Sequence, residues 1–303
     1  MGILAVADRR LGRVGAGHTL GMGDGWGELD GLTALRAHAP EAADVLERAL
    51  SAGSLDAAAA VPARTLGLRP LVPETPTHPL ITAFAEQFAV DVTLIDEFMR
   101  AELAEAAGNR MFPVVMAVYL GDWVPRVRHG LDALFGPADW PAPRPGDGDR
   151  WAVIDEFQQV VARLDALDPV TAELIRLRGA RQHECRLCQS LRSRSALAAG
   201  ADESTFAAVD DFAASDLTDT QKAALALTDA LIWTPDRIPE STLAAVREHF
   251  APAQAVELVL DVMRNAGNKI AVALAADAPN VTDGVEIYDI EPDGTLTYGL
   301  SAP

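Results

Sequence analysis

Residues 168–192 read DPVTAELIRLRGARQHECRLCQSLR. Asp168 followed by Pro169 is a helix start. An aspartate at the cap accepts the free amides of the first turn, and proline fits the first helical position, where no amide hydrogen is needed. The helix so begun runs to about Arg181. Cys185 and Cys188, the two cysteines of the chain, then open another helix that ends at Gly200. A Cys-x-x-Cys at a helix N-terminus sets sulfur near unpaired amides, and those amides together with the helix dipole stabilise a thiolate. The spacing also permits a disulfide within one turn, so one sulfur can attack and the other can resolve. Arg192 stands four residues after Cys188, one turn on and on the same face of a continuing helix. A guanidinium there would favour the Cys188 thiolate. Arg181 and Arg186 add positive charge. Glu173, twelve residues before Cys185 on the preceding helix, can be returned to the sulfurs by a helical hairpin and used as a general base.

Helical patterning extends outward from this stretch in both directions. Upstream, helices are expected over 40–50, 55–66, 81–90, 95–107 and 112–134, with a proline-rich loop at 70–79 and a stop at Gly136. Residues 137–149 are rich in proline, glycine and aspartate and read as a linker. Downstream, Asp202 caps a short helix through Phe212. Thr218 with Gln221 forms a capping box for 219–233. Pro239 and Pro252 start two more helices, the second reaching about Ala276. Glu-Pro-Asp-Gly at 291–294, between two short β-prone runs, predicts a C-terminal β-hairpin. Residues 81–134 can be laid on 223–276 at a constant offset of 142, which reads as an internal duplication. The fold class is therefore all-α, duplicated, with a short β-hairpin. It divides into a glycine-rich extension (1–30), a degenerate first half (31–136), the linker (137–149), a second half carrying the chemistry (150–278) and a hairpin tail (279–303). The run Gly15-Ala16-Gly17-His18-Thr19-Leu20-Gly21 has neither a strand before it nor a helix after it, so it is not read as a nucleotide-binding loop.

Composition narrows the partners. The 303 residues include 44 acidic and 25 basic ones, a formal charge of −19, and 49% are hydrophobic. Such an acidic surface repels phosphate backbones and anionic lipid, which argues against nucleic acid and membrane surfaces as partners. No secretory leader or membrane-spanning run is visible, and two closely spaced cysteines do not make a secreted disulfide scaffold. A cytoplasmic protein is expected. Two other readings of the cysteines stand beside the redox one: small buried hydrophobes, or half of a zinc site, for which no second Cys or His pair has ligand spacing.

Glu173, eleven intervening residues and Cys185-x-x-Cys188, set in Glu-Leu-Ile-Arg-Leu-Arg, resemble the carboxymuconolactone decarboxylase-like superfamily, and within it the AhpD-like alkylhydroperoxidase branch. The resemblance covers about residues 150–278. It implies an all-α homo-oligomer that reduces alkyl hydroperoxides through its cysteine pair, recharged by an external thiol or dithiol, with no metal or other cofactor. Carried onto this sequence, Cys188 is the attacking cysteine, Cys185 the resolving one and Glu173 the proton acceptor. The family's relay histidine falls at Arg192, which cannot shuttle a proton. His183, two residues before Cys185, is the nearest histidine that could stand in. The alternatives are a non-redox lyase or isomerase acting on a small carboxylate-bearing or hydrophobic metabolite, for which Arg192 would be the anion site, and an inactive structural homologue.

Overall fold

The computed structural model of the chain describes residues 26, 27 and 29–303. The glycine run at 15–21 lies outside them. Before the 137–149 segment come α1 (Gly31–His38), α2 (Pro40–Ser51), α3 (Val61–Thr65), α4 (Pro79–Val90), α5 (Glu97–Ala107) and α6 (Met111–Phe135). After it come α7 (Arg150–Ala162), α8 (Pro169–Gln182), α9 (Arg186–Gln189), α10 (Arg194–Ala198), α11 (Glu203–Ala207), α12 (Asp219–Trp233), α13 (Glu240–His249), α14 (Pro252–Asn265) and α15 (Asn268–Ala273). Three short strands, β1 (Leu191–Ser193), β2 (Glu286–Ile290) and β3 (Leu296–Leu300), form one small sheet in that order. The architecture is thus mostly α with the expected C-terminal hairpin. Among the described residues no helix is long and apolar enough to cross a membrane.

Local chemistry sets most boundaries where the sequence places them. Asp168 accepts from the amides of Val170 and Thr171 at the head of α8. Thr218 and Gln221 make a reciprocal capping box on α12. Gly136 closes α6 in a conformation open to glycine, with φ +125°. Three expectations need correction. The helix opened by the cysteines stops after four residues instead of reaching Gly200. Its place is taken by β1, which pairs in parallel with β2. The helix from Pro252 breaks at Ala266–Gly267 and resumes as α15. The helix capped by Asp202 ends at Ala207.

The order α4–α5–α6 recurs as α12–α13–α14/α15 at the offset of 142. The two stretches nevertheless share one core. A single apolar cluster runs from Ala34 to Ala273, with α6 packed on α14 and α2 on α7. The 137–149 linker therefore divides the sequence, not the core. A smaller cluster, including Leu174, Leu177, Phe206 and Leu225, packs α8 against α11 and α12.

Inside the main core lies a buried polar junction. Arg126 of α6 donates to the last-turn carbonyls of α12, at Leu231 (2.7 Å) and Ile232 (2.6 Å), and to Ala89 of α4 (2.9 Å). One side chain thereby satisfies orphan carbonyls at the C-terminal ends of two helices. Its charge is met by Asp122, which also takes Lys269 of α15 at 2.6 Å. Burial pulls the Lys269 ammonium down to about 8.

Gly121, next to Asp122, lets the backbone of residue 59 cross α6 directly; a Cβ there would overlap the Ala59 carbonyl. Gly179 in α8 has open space in the corresponding direction. Gly121→Ala should therefore cost about 1–3 kcal/mol through overpacking. Gly179→Ala should instead gain about 0.5–1 kcal/mol from helix propensity. Urea denaturation of the two variants reads both signs.

Candidate active site

The turn that carries the cysteines is built by the end of α8. The amide of Glu184 bonds the carbonyl of Arg181 (3.1 Å) and that of Cys185 bonds Ala180 (3.0 Å), the double pattern of a Schellman C-cap. The left-handed residue this motif requires is Glu184, at φ +50°, where glycine is the usual occupant. The turn delivers Cys185 to the N-cap of α9. There its sulfur accepts from the amide of Cys188 at 3.2 Å. The other two amides of that first turn go to Asp277: Arg186 to its carboxylate at 2.9 Å and Leu187 to its carbonyl at 2.9 Å. The Arg186 guanidinium then pairs with the same carboxylate (2.7 Å) and holds its pKa below the ordinary value.

Cys185 and Cys188 are joined by a disulfide, with Cα atoms 5.3 Å apart. The two sulfurs differ in access. Cys185 is sealed at 0% exposure, whereas Cys188 is partly exposed. Both line an apolar cleft of about 260 Å³. Its walls come from Trp151, Ile154 and Gln158 of α7, from Asn268 and Ile270 of α15, and from Leu296 and Tyr298 of the hairpin. The hairpin is seated on α7 at Gly294 (φ +89°), where any Cβ would strike the Gln159 carbonyl. Among the described residues no group of three or more His, Cys, Asp or Glu side chains is placed to hold a metal ion.

Glu173 is buried, as a functional acid on α8 would be, but all of its bonding capacity is in use. It receives two bonds from Arg176 at 2.7 Å, one from the Ser193 amide at 3.0 Å and one from the Tyr288 hydroxyl at 2.9 Å. It does not line the disulfide cleft. Arg176 and Tyr288 do, and they stand between the carboxylate and the cleft. Arg176 also donates to the carbonyls of Cys188 (2.8 Å) and Leu191 (2.9 Å), so it anchors the α9 turn to α8. Burial opposes its charge, but Glu173 and Tyr288 more than offset that and hold its pKa above the ordinary arginine value. Burial, reinforced by the Glu173 charge, pushes the Tyr288 hydroxyl up.

Two expected site residues go elsewhere. Arg192 does not stand one turn above Cys188, because α9 has ended and Arg192 is on β1. Its guanidinium makes a bidentate pair with Glu203 (2.8 and 2.9 Å), bonds the carbonyls of Gln189 and Leu191, and lies 5.4 Å over the Phe206 ring. His183 is buried on the far side of the turn. Its Nδ1 meets Asn268 Oδ1 at 2.8 Å and its ring packs edge-on to Trp123, while Nε2 has no partner. Burial, then the charges of Lys269 and Arg126, push its pKa well below the ordinary histidine value, which favours the neutral imidazole. The remaining arginines near the cysteines are paired too, Arg181 with Asp210 and Arg178 with Asp229. Asp277 and Tyr288 were not visible from the sequence, since nothing local marks them and both reach the turn from a distant part of the chain. Arg176 lies in the Glu-Leu-Ile-Arg-Leu-Arg run, where nothing local marks it as more than a helix-face charge.

The chain matches no family model and no solved structure. It is similar to two proteins of Mycobacterium tuberculosis, uncharacterized protein Rv2313c (strain ATCC 25618 / H37Rv) and uncharacterized protein MT2376 (strain CDC 1551 / Oshkosh). Each is 46% identical over 238 residues, which cover 75% of this chain and 83% of the relative. At that identity and coverage the chain belongs to the family of these two mycobacterial proteins.

Proposed function

We propose that this protein is a thiol-dependent oxidoreductase that reduces hydroperoxides of apolar molecules through Cys185 and Cys188. The observation that carries this reading is the asymmetric disulfide, with one sulfur sealed and its partner facing an apolar cleft. The Glu-x11-Cys-x-x-Cys resemblance to the AhpD-like branch supports it. In the reduced protein the Cys188 thiolate attacks the distal oxygen of a hydroperoxide. The O–O bond breaks, an alcohol leaves after taking a proton, and Cys188 becomes a sulfenic acid. Cys185 then attacks that sulfur and releases water as the disulfide forms. An external dithiol attacks Cys188, the sulfur in reach, and leaves with both electrons transferred. The sealed Cys185 suits the resolving role, because it is fully buried while its partner sulfur is partly exposed.

In this reading Glu173 acts at one remove. It holds Arg176 and Tyr288 on the cleft wall, and Arg176 holds the carbonyl of the attacking cysteine. Arg192 is committed to Glu203, which counts against an anion site there for a lyase acting on a carboxylate.

Four outcomes are expected. The reduced protein should show two titratable thiols that disappear on addition of cumene hydroperoxide and return with dithiothreitol. Cys188→Ser should abolish turnover by on the order of 10³-fold or more, and Cys185→Ser should leave a dimedone-reactive sulfenic acid at Cys188. Two thiols that survive excess hydroperoxide would sink the proposal. Separately, Glu173→Gln leaves the Arg176 cation buried and unpaired, at a cost of about 3–5 kcal/mol. The single-turnover rate with peroxide, measured on the folded fraction, should change by less than about tenfold, because a true general base contributes about 10²–10⁴-fold. A hundredfold loss in a folded variant would restore Glu173 to the role of proton acceptor.

A further inference from the structure

A second pocket, of about 290 Å³, lies behind the disulfide cleft and shares with it the wall formed by Arg176, Arg264, Asn265 and Tyr288. Its character is different. Two carboxylates one helical turn apart on α14, Glu257 and Asp261, line it, and the rest of the wall is mixed, with an apolar side of Val161, Leu164, Leu167 and Ile290 beside polar Asp165, Ser193, Ser195 and Asn265. Glu257 is 4% exposed. Its Oε2 accepts from the amides of Ala166 (2.6 Å) and Leu167 (3.3 Å), and so caps the turn leading into α8. Asp261 is 6% exposed and, among the described residues, receives no hydrogen bond and joins no ion pair. Its oxygens are not among the sealed polar atoms of the protein, so they face the open pocket, where water or a ligand must supply the bonds that the fold does not.

The charged and titratable groups that face the pair are few. From α8 come Glu173 and Arg176, which neutralise each other. From the preceding loop comes Asp165, from α14 itself Arg264, and from β2 the hydroxyl of Tyr288. Arg264 is the nearest cation to Asp261, but its Nε is spent on the Gln158 carbonyl at 3.1 Å. The pocket opens beside a larger surface basin that shares Leu164, Asp165 and Ser195 with it and adds Glu41, Asp289 and Glu291, against Arg163 and His38. Mouth and floor are therefore both net acidic, which attracts cations and repels anions.

We infer that this pocket binds a small organic cation, a primary ammonium on a short apolar body, with the ammonium between Glu257 and Asp261. An ammonium supplies three donors and one charge, enough to satisfy Asp261 and the unused oxygen of Glu257. The apolar side walls accommodate the carbon chain. A metal ion fits less well, since no third acidic or imidazole ligand converges on the pair. Burial raises both acids, Glu257 to about 7 and Asp261 to about 6, with Asp261 and Asp165 adding to the shift at Glu257 and Arg264 opposing it at Asp261. Cation binding must then displace protons. Affinity is full when both groups are ionised and falls as pH drops through these values. The site does not depend on the redox reading of the cysteines.

The test is calorimetric titration of the full chain with n-pentylamine and 1,4-diaminobutane at pH 8 and pH 5, where both amines stay charged. Pentanoate, pentanol and magnesium chloride serve as controls. We expect saturable one-to-one binding of an amine at pH 8, weakened by about tenfold or more at pH 5, with no binding of pentanoate or pentanol. Asp261→Asn removes a charge but no bond of the fold, so it should lose the amine affinity while melting at a higher temperature than the parent at pH 8. Glu257→Gln, which can keep its amide contacts, provides an independent second variant. Absence of saturable amine binding, equal affinity at the two pH values, unchanged affinity in both variants, or saturable magnesium binding in place of the amine would each overturn the inference.

Discussion

The buried junction of Arg126, Asp122 and Lys269 is the constraint on which the rest of the molecule hangs. Arg126 closes the C-terminal ends of α4 and α12, so it fixes equivalent elements of the two repeating stretches to one point on α6. Asp122 passes that anchor to α15 through Lys269. α15 in turn supplies Asn268, which holds His183 beneath the cysteine turn, and Ile270, which lines the cleft. Charges this deep are expensive to desolvate, and their mutual attraction compensates only when each is fully bonded. Here the arginine is bonded on all sides, while the lysine adjusts by weakening its hold on its proton. Among the described residues the first half of the chain contributes none to the disulfide cleft, yet it sets where one wall of that cleft stands.

A second ion pair does for the site what the first does for the core. The cysteine turn comprises only four helical residues, too few to hold a shape through their own hydrogen bonds. External partners fix it. Asp277 takes two first-turn amides, the Cys185 sulfur takes the third, and Arg176 takes the carbonyls of Cys188 and Leu191. Arg176 can do this only because Glu173 neutralises it. The same neutralisation means that little net positive charge from α8 reaches the sulfurs. The arginines around the motif look like an electropositive nest in sequence, but Arg178, Arg181, Arg186 and Arg192 each have a carboxylate in contact. In a chain of charge −19 that outcome is unsurprising, and it leaves the amide of Cys188 as local support for a thiolate on Cys185, the sulfur released when a reductant attacks Cys188 in the proposed cycle.

How much of this could be read in advance follows from the range of the forces involved. Helix starts were legible because Asp168-Pro169 and Thr218 with Gln221 act within one turn. The hairpin was legible because Pro292-Asp293-Gly294 is a local turn code. The recurrence at offset 142 was legible because apolar spacing survives where side-chain identity does not. The short α9 was misread because Gln189-Ser190-Leu191-Arg192 has no helix breaker. What ends the helix is pairing of β1 with β2, almost a hundred residues later, and that pairing turns Arg192 away from Cys188 towards Glu203. Glu173 was found, but its role was read from sequence distance to the cysteines. Tyr288, which decides what Glu173 can do, comes from the tail.

The wall of Arg176, Arg264, Asn265 and Tyr288 gives these separate observations a common consequence. On one side lies an apolar cleft with the disulfide, on the other a pocket floored by two unneutralised acids. Arg264 faces both and has no ion-pair partner among the described residues. Its charge is therefore divided between Asp261 behind the wall and whatever develops in front of it. When Asp261 is ionised and empty, Arg264 is held back by attraction to it. Were Asp261 protonated or matched by a cation, that attraction would fall and the net positive potential in the cleft would rise, at the place where the proposed reduction of the disulfide would create negative charge. If the rear pocket takes a cation and the sulfurs in front are redox-active, as proposed, the two sites would be coupled through one arginine, without any rearrangement of the fold.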